Sequence, residues 1–305
     1  MAESDESSTK TVLVAAGANL AIAAAKAVAA ILTGSAALWA ETMHSAADTG
    51  NEVLLWLGLR RSKRKPDGRH PFGYGQERYF WAFLAALGIF LVGGLLSIAE
   101  GVRSWLVPEP LESPWIGIAV LVVSAGFESW SWLTARRQLR EDAKARRRSV
   151  REHLVRASDP SATTVYLEDS AALVGIALAL IALIMHMVTG WAWWDPAASM
   201  AIGVLLAVVA WLLARRSKAL LIDAAAPDDV MEDLRETIGP QPWIGTVHEL
   251  RAVYVGPSQL LVTMNVSPSE ELRARPGSEL VTHVTELRER LLRNPGVADA
   301  VITLV

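Results

Sequence analysis

The chain has 305 residues, 52% of them apolar, and a formal net charge of −3. A balance so near zero gives no reason to expect a nucleic-acid partner. There is no cysteine, which excludes disulfides and thiolate metal sites, so any bound metal must be held by His, Asp, Glu or backbone oxygen.

Residues 1–10 form a polar, acidic start without the basic region and cleavage site of a secretory signal. From there to about residue 220 the apolar residues gather in long runs, and charge collects in the gaps. A membrane helix needs roughly 20 mainly apolar residues. In chain order, the segments that qualify are Thr11–Leu32, Ser35–Leu59, Tyr79–Val107, Trp115–Thr134, Ala162–Val188 and Pro196–Ala214. Such spans have no polar face to show water, which argues against a buried bundle in a soluble protein. The expected fold is a multi-pass α-helical membrane protein with six transmembrane helices over 11–220, followed by a soluble α+β domain over 221–305.

Loop charge predicts orientation. The link after the second span reads RRSKRKPDGRH, and the link after the fourth reads RRQLREDAKARRRSVREHLVR. The links after the first, third and fifth spans, TGS, VPEPLESP and VTGWAWW, carry no base. The basic links and both termini are therefore expected in the cytoplasm. Short links and the Ala, Arg and Trp bias suggest a bacterial plasma membrane.

In the tail, Pro227 followed by Asp228 and Asp229 reads as a helix start. Thr246–Tyr254 and Gln259–Val266 read as strands joined by a Gly-Pro-Ser turn, with Leu260, Val262, Met264 and Val266 at period 2. Leu280, Val284, Leu287 and Leu291 share one helical face, which Asn294-Pro295-Gly296 ends. The last residues can form a third strand.

Ionisable groups inside spans are costly and usually mark a pathway. The second span holds Glu41, His44, Asp48 and Asn51, and His44 and Asp48 lie four apart on one face. The fifth span holds Glu168 and Asp169, neighbours about 100° apart around the helix. If the two helices pack together, an imidazole and two or three carboxylates converge on a divalent cation, with zinc suited to mixed N and O ligands. Glu128 in the fourth span is a further candidate. Several carboxylates without a counter-ion in hydrocarbon take up protons, so metal and protons can alternate on the same groups. Lys26, Glu100 and Arg103 are read as snorkelling to the span ends, with pairing among them as the alternative.

These features are carried by GSAALWAETMHSAADTGN, HPFGYGQER, LEDSAALVG, DPAASMAIG and VHELRAVYVG, in that order along the chain. Together they resemble the cation diffusion facilitator family, and the LED of the fifth span resembles its mitochondrial-type zinc carrier branch. The resemblance implies six helices plus a cytoplasmic ferredoxin-like domain, a homodimer, and export of zinc in exchange for protons by alternating access. Manganese, iron(II) and cobalt are the alternative metals. It implies a transport site at His44, Asp48 and Asp169. The family's usual His four residues before the fifth-span Asp is Val165 here, and Glu168 is the substitute ligand. It also implies an accessory loop site at Asp67 and His70, with Tyr74 where a second His would stand. In the tail, His248 matches a family metal position whose last-strand partners are absent. A cytoplasmic metal donor is a further expected partner. The absence of an HExxH motif argues against an intramembrane hydrolase, so no enzyme activity is expected. A non-transporting metal sensor or scaffold is the remaining alternative.

Overall fold

The computed structural model describes residues 2–145, 149–150, 154, 161–257, 259–294 and 296–305. Much of the basic link after the fourth span, Ser258 of the expected hairpin turn and Pro295 of the expected helix stop lie outside these residues. The helical elements are α1 (Ala2–Thr33), α2 (Ala36–Ser62), α3 (Glu77–Gly88), a π-helical segment (Ile89–Leu95), α4 (Leu96–Leu106), α5 (Pro114–Ala145), α6 (Ser161–Thr189) and α7 (Trp194–Leu221). The helix α1 begins within the segment read as a polar tail. The tail contributes α8 (Asp228–Ile238), β1 (Ile244–Gly256), β2 (Gln259–Pro268), α9 (Glu270–Arg273), α10 (Gly277–Leu292) and β3 (Val297–Leu304).

The chain divides into two units. One holds the chain up to Gly58 together with Trp81–Ser217; the other holds Leu59–Phe80 and Lys218–Val305. In the helical unit, four helices among the described residues are long and apolar enough to cross a membrane: Glu77–Leu106, Pro114–Lys144, Thr163–Thr189 and Trp194–Leu221. Only 17–44% of their most apolar stretches is buried within the protein. Side chains such as Val174, Ile181, Val208 and Trp211 are left uncovered. Apolar surface on this scale needs lipid against it.

Where helices meet, their backbones come close. A Cβ on Gly203 of α7 would stand 2.7 Å from the carbonyl oxygen of Gly94 in the π segment and 2.8 Å from Ile98 N in α4. Small residues of this kind let membrane helices pack tightly. The start of α2 is tied to the start of α7 by a cap. The Asp195 carboxylate accepts hydrogen bonds from Ser35 Oγ at 2.5 Å, Ala36 N at 2.5 Å and Ala37 N at 3.4 Å. Ser35 Oγ in turn accepts the N–H of Leu38. The open N–H groups of the first turn of α2 are thereby satisfied, and a negative charge sits at the positive end of the helix dipole.

Between α1 and α2 lies a buried ion pair. Lys26 Nζ donates to Glu41 Oε2 at 2.9 Å and to Ser45 Oγ at 2.9 Å, and neither Lys26 nor Glu41 is exposed at all. The expected snorkelling of Lys26 is corrected: an ammonium fully enclosed by protein takes a carboxylate rather than reaching for water. Glu100 and Arg103 pair with each other, and Arg103 also pairs with Glu109.

The second unit is a three-stranded sheet of order β1-β2-β3, with β1 and β2 antiparallel and β2 and β3 parallel. Leu260, Val262, Met264 and Val266 of β2 are buried, as their period-2 spacing requires. They share a core with Leu234 of α8 and with Leu287 and Leu291 of α10. The short helix α9 has no counterpart in the sequence reading. The link after α2 also packs here. Tyr79 is fully buried in this core, and Gln76 Nε2 donates to Asp223 at 3.0 Å. A Cβ on Gly75 would stand 2.5 Å from Val255 O and 2.6 Å from Gly256 Cα, so the link lies flush on the hairpin end.

Two tests follow from this packing. Gly75→Val cannot be accommodated without separating two backbones, at a cost of about 1–3 kcal/mol. Limited trypsinolysis is expected to cut the variant faster than the parent at Lys63, Arg64 or Arg69. Lys26→Met leaves Glu41 buried without its partner and is expected to destabilise the helical unit by about 3–5 kcal/mol, whereas Lys26→Met with Glu41→Leu recovers most of that loss. Thermal unfolding in detergent measures both.

Candidate functional site

Helices α1, α2, α5 and α6 enclose a cavity of about 180 Å³. Five carboxylates line it: Asp48 and Glu52 from α2, Glu128 from α5, and Glu168 and Asp169 from α6. Among the described residues, no Lys, Arg or His lines it. Its apolar wall includes Ile22, Leu55, Phe127 and Val165, so the residue that replaces the expected imidazole faces the same space.

Helical spacing places Asp48, Asn51 and Glu52 on one face of α2 within little more than a turn. Three of the acids are then held by a neutral donor from another helix. Asn51 Nδ2 of α2 donates to both oxygens of Glu168, at 2.8 and 2.6 Å. Ser131 Oγ of α5 donates to Asp169 Oδ2 at 2.7 Å. Asn19 Nδ2 of α1 donates to Glu52 Oε1 at 2.7 Å. These bonds orient the carboxylates without supplying positive charge. Buried oxygens remain without a hydrogen-bond partner: Asp48 Oδ1, Asn51 Oδ1 and Glu52 Oε2. Such groups are costly in a protein interior unless something fills the need.

The expected ligands separate in this geometry. Asp48, Glu128, Glu168 and Asp169 surround one cavity. His44 is buried beside it: its Nε2 lies 3.4 Å from Asp48 Oδ2, and neither ring nitrogen makes a hydrogen bond. Among the described residues, no three His, Asp or Glu side chains stand close enough together to hold a metal ion. Glu41 stands apart from the other candidates. It lies outside the cavity, paired with Lys26, with its other oxygen packed against Gly175 of α6.

The accessory positions are also engaged. Asp67 Oδ1 accepts the backbone N–H groups of Arg69 and His70, each at 2.9 Å, and Asp67 Oδ2 accepts the Tyr74 hydroxyl at 2.7 Å. The Tyr74 hydroxyl, followed by the two backbone donors, holds the Asp67 carboxyl below the usual carboxylate range. His70 Nδ1 lies 3.8 Å from Asp67 and its ring packs on Tyr74. Tyrosine in place of the second histidine thus closes the loop with a hydrogen bond. In the tail, His248 Nε2 lies 2.6 Å from Ser267 Oγ, and Ser267 Oγ donates to Val305 O. The serine proton is committed to the carbonyl, so Nε2 must donate; His248 is bound to the sheet through this nitrogen.

Sequence reasoning missed Glu52 and Asn19. Glu52 follows Asp48 by four residues, the same spacing that singled out His44 and Asp48. Its place near the charged end of the second span hid it.

Residues 12–222 match the cation efflux transmembrane domain. The chain is 34% identical over 236 residues to the mitochondrial proton-coupled zinc antiporter SLC30A9 of Xenopus laevis, covering 77% of this chain and 42% of that protein. It is 32% identical over 222 residues to Metal tolerance protein C4 of Arabidopsis thaliana, covering 72% of this chain and 48% of that protein. It is 26% identical over 260 residues to zinc transporter ZitB of Yersinia pseudotuberculosis, covering 85% and 77%. The chain spans less than half the length of the first two of these relatives. A domain match over more than two thirds of the chain decides the matter: this chain belongs to the cation efflux family.

Proposed function

We propose that this protein carries a divalent metal cation, zinc foremost, across a membrane in exchange for protons. The observation that carries the reading is the cavity among α1, α2, α5 and α6, lined by five carboxylates and, among the described residues, by no cationic side chain. A doubly charged ion is the natural complement of such a space, since unpaired carboxylates in a dry interior otherwise hold protons. Membership of the cation efflux family supports it, as do relatives named as a zinc transporter and a proton-coupled zinc antiporter.

In this reading α1 and α2 join α3–α4, α5, α6 and α7 as membrane helices, making six. Their lower apolarity reflects the charged groups they carry to the site and to the Lys26–Glu41 pair. The cation is taken between Asp48, Glu168 and Asp169, with His44 turning from beside Asp48 into the shell. Metal ligation requires deprotonated carboxylates and a neutral imidazole, so loading releases protons and protonation from the far side expels the metal. The helices alternate access around the fixed site. Both termini lie in the cytoplasm of a bacterial plasma membrane, the small domain is ferredoxin-like and supports a homodimer, and a cytoplasmic donor delivers the metal. Manganese, iron(II) and cobalt are the competing substrates.

Two measurements test the reading. Asp48→Ala is expected to abolish zinc uptake into proteoliposomes while the purified variant elutes as the parent does; persistent flux would remove Asp48 from the site. Zinc uptake by the parent is expected to stop when an ionophore collapses the pH gradient, and continued uptake at the original rate would rule out obligatory proton exchange.

A further inference from the structure

We propose that the side-chain amide oxygen of Asn51 is a ligand for the transported cation and sets which divalent metals the site accepts. The inference rests on the transport reading above and deepens it.

Asn51 is only 2% exposed and lines the acidic cavity. Glu168 Oε1 and Oε2 lie 2.8 and 2.6 Å from Asn51 Nδ2. Metal ligation requires Glu168 to be ionised, and an ionised carboxylate only accepts hydrogen bonds, so in the loaded site the amide presents its NH₂ to Glu168 and its carbonyl oxygen away from it. That oxygen has no hydrogen-bond partner although it is buried. It lies three residues after Asp48 and seven after His44, on the face of α2 that those two residues share. Two roles follow for one side chain: the nitrogen positions Glu168, and the oxygen is left for a cation.

On the facing helix, Val165 stands in the cavity wall four residues before Asp169 and has no donor atom. The oxygen of Asn51 supplies from α2 what that position on α6 lacks. The replacement alters the chemistry. An amide oxygen is neutral and hard, so it adds a ligand without adding charge to a site already rich in carboxylates. Together with Asp48, Glu168 and Asp169 it makes a shell dominated by oxygen, which favours manganese and iron(II) more than a shell with two imidazoles would. The substrate class is therefore zinc together with harder divalent cations.

The test uses the full chain in proteoliposomes, with zinc and manganese as the ions actually supplied, alone and in competition. Asn51→Ala is expected to raise KM for both ions by about 10–100-fold, and more for manganese. Asn51→His restores a nitrogen ligand and is expected to shift the zinc-to-manganese preference toward zinc by about tenfold or more while zinc transport persists. A residue that did no more than hold Glu168 would change both ions alike, so an unaltered preference in both variants overturns the proposal. Should either variant fail to elute as a folded species, Asn51→Asp has the same shape and keeps the oxygen with a charge added. Because this variant loses the Nδ2 that holds Glu168, the readout is the ratio: KM for manganese is expected to fall relative to that for zinc, and an unchanged ratio overturns the assignment. Asp48→Ala runs beside them: flux in that variant would end the transport-site reading itself, whereas silence there with an unmoved preference at Asn51 would end only this inference.

Discussion

The cost of enclosing carboxylates away from water governs the helical unit. Each buried acid must find a donor, a cation or a proton. The chain meets this need in two different ways. Glu41 receives a full countercharge from Lys26, which closes its account with the solvent. Glu52, Glu168 and Asp169 receive only neutral donors from Asn19, Asn51 and Ser131. The first arrangement sets charge against charge, although Glu41 Oε1 stays buried without a hydrogen-bond partner. The second orients acids but leaves their charge uncompensated, which is the condition a cation site requires.

That contrast depends on how closely the helices approach. Gly175 of α6 gives Glu41 the space to lie against the backbone, and the crossing of Gly94 with Gly203 brings the π segment against α7. The Asp195 cap holds the first turn of α2 to the start of α7. The face carrying His44, Asp48 and Asn51 is then presented toward α5 and α6 by a helix anchored at its end. The π segment, with Gly93 and Gly94 at its core, interrupts what would otherwise be one regular helix from Glu77 to Leu106, and π turns of this kind shift the phase of the faces that follow.

The small domain takes part of the link that follows α2. Gly75 lies against the β1–β2 hairpin end, and Tyr79 is buried with Leu220, Leu234 and Met264. The peptide chain that carries Asp48 and Asn51 therefore runs on into a segment integrated with the sheet. On the same link, the Tyr74 hydroxyl donates to Asp67 Oδ2 while the backbone N–H groups of Arg69 and His70 donate to Oδ1.

The sequence by itself determined the apolar runs, the HxxxD spacing of His44 and Asp48, the acids of the fifth span and the period-2 face of β2. Each is a regularity within one element, and side-chain direction along a helix or strand follows from spacing alone. Only the tertiary structure decided which charges have partners. Lys26 meets Glu41, Asn51 meets Glu168, and Asp195 meets Ser35 across separations of 15, 117 and 160 residues. The same composition is compatible with a snorkelling lysine and a metal-binding Glu41, or with the closed pair that is found. Periodicity reports which face a residue occupies, but not what stands opposite it, and for a buried charge the group opposite decides whether it is structural or free to bind.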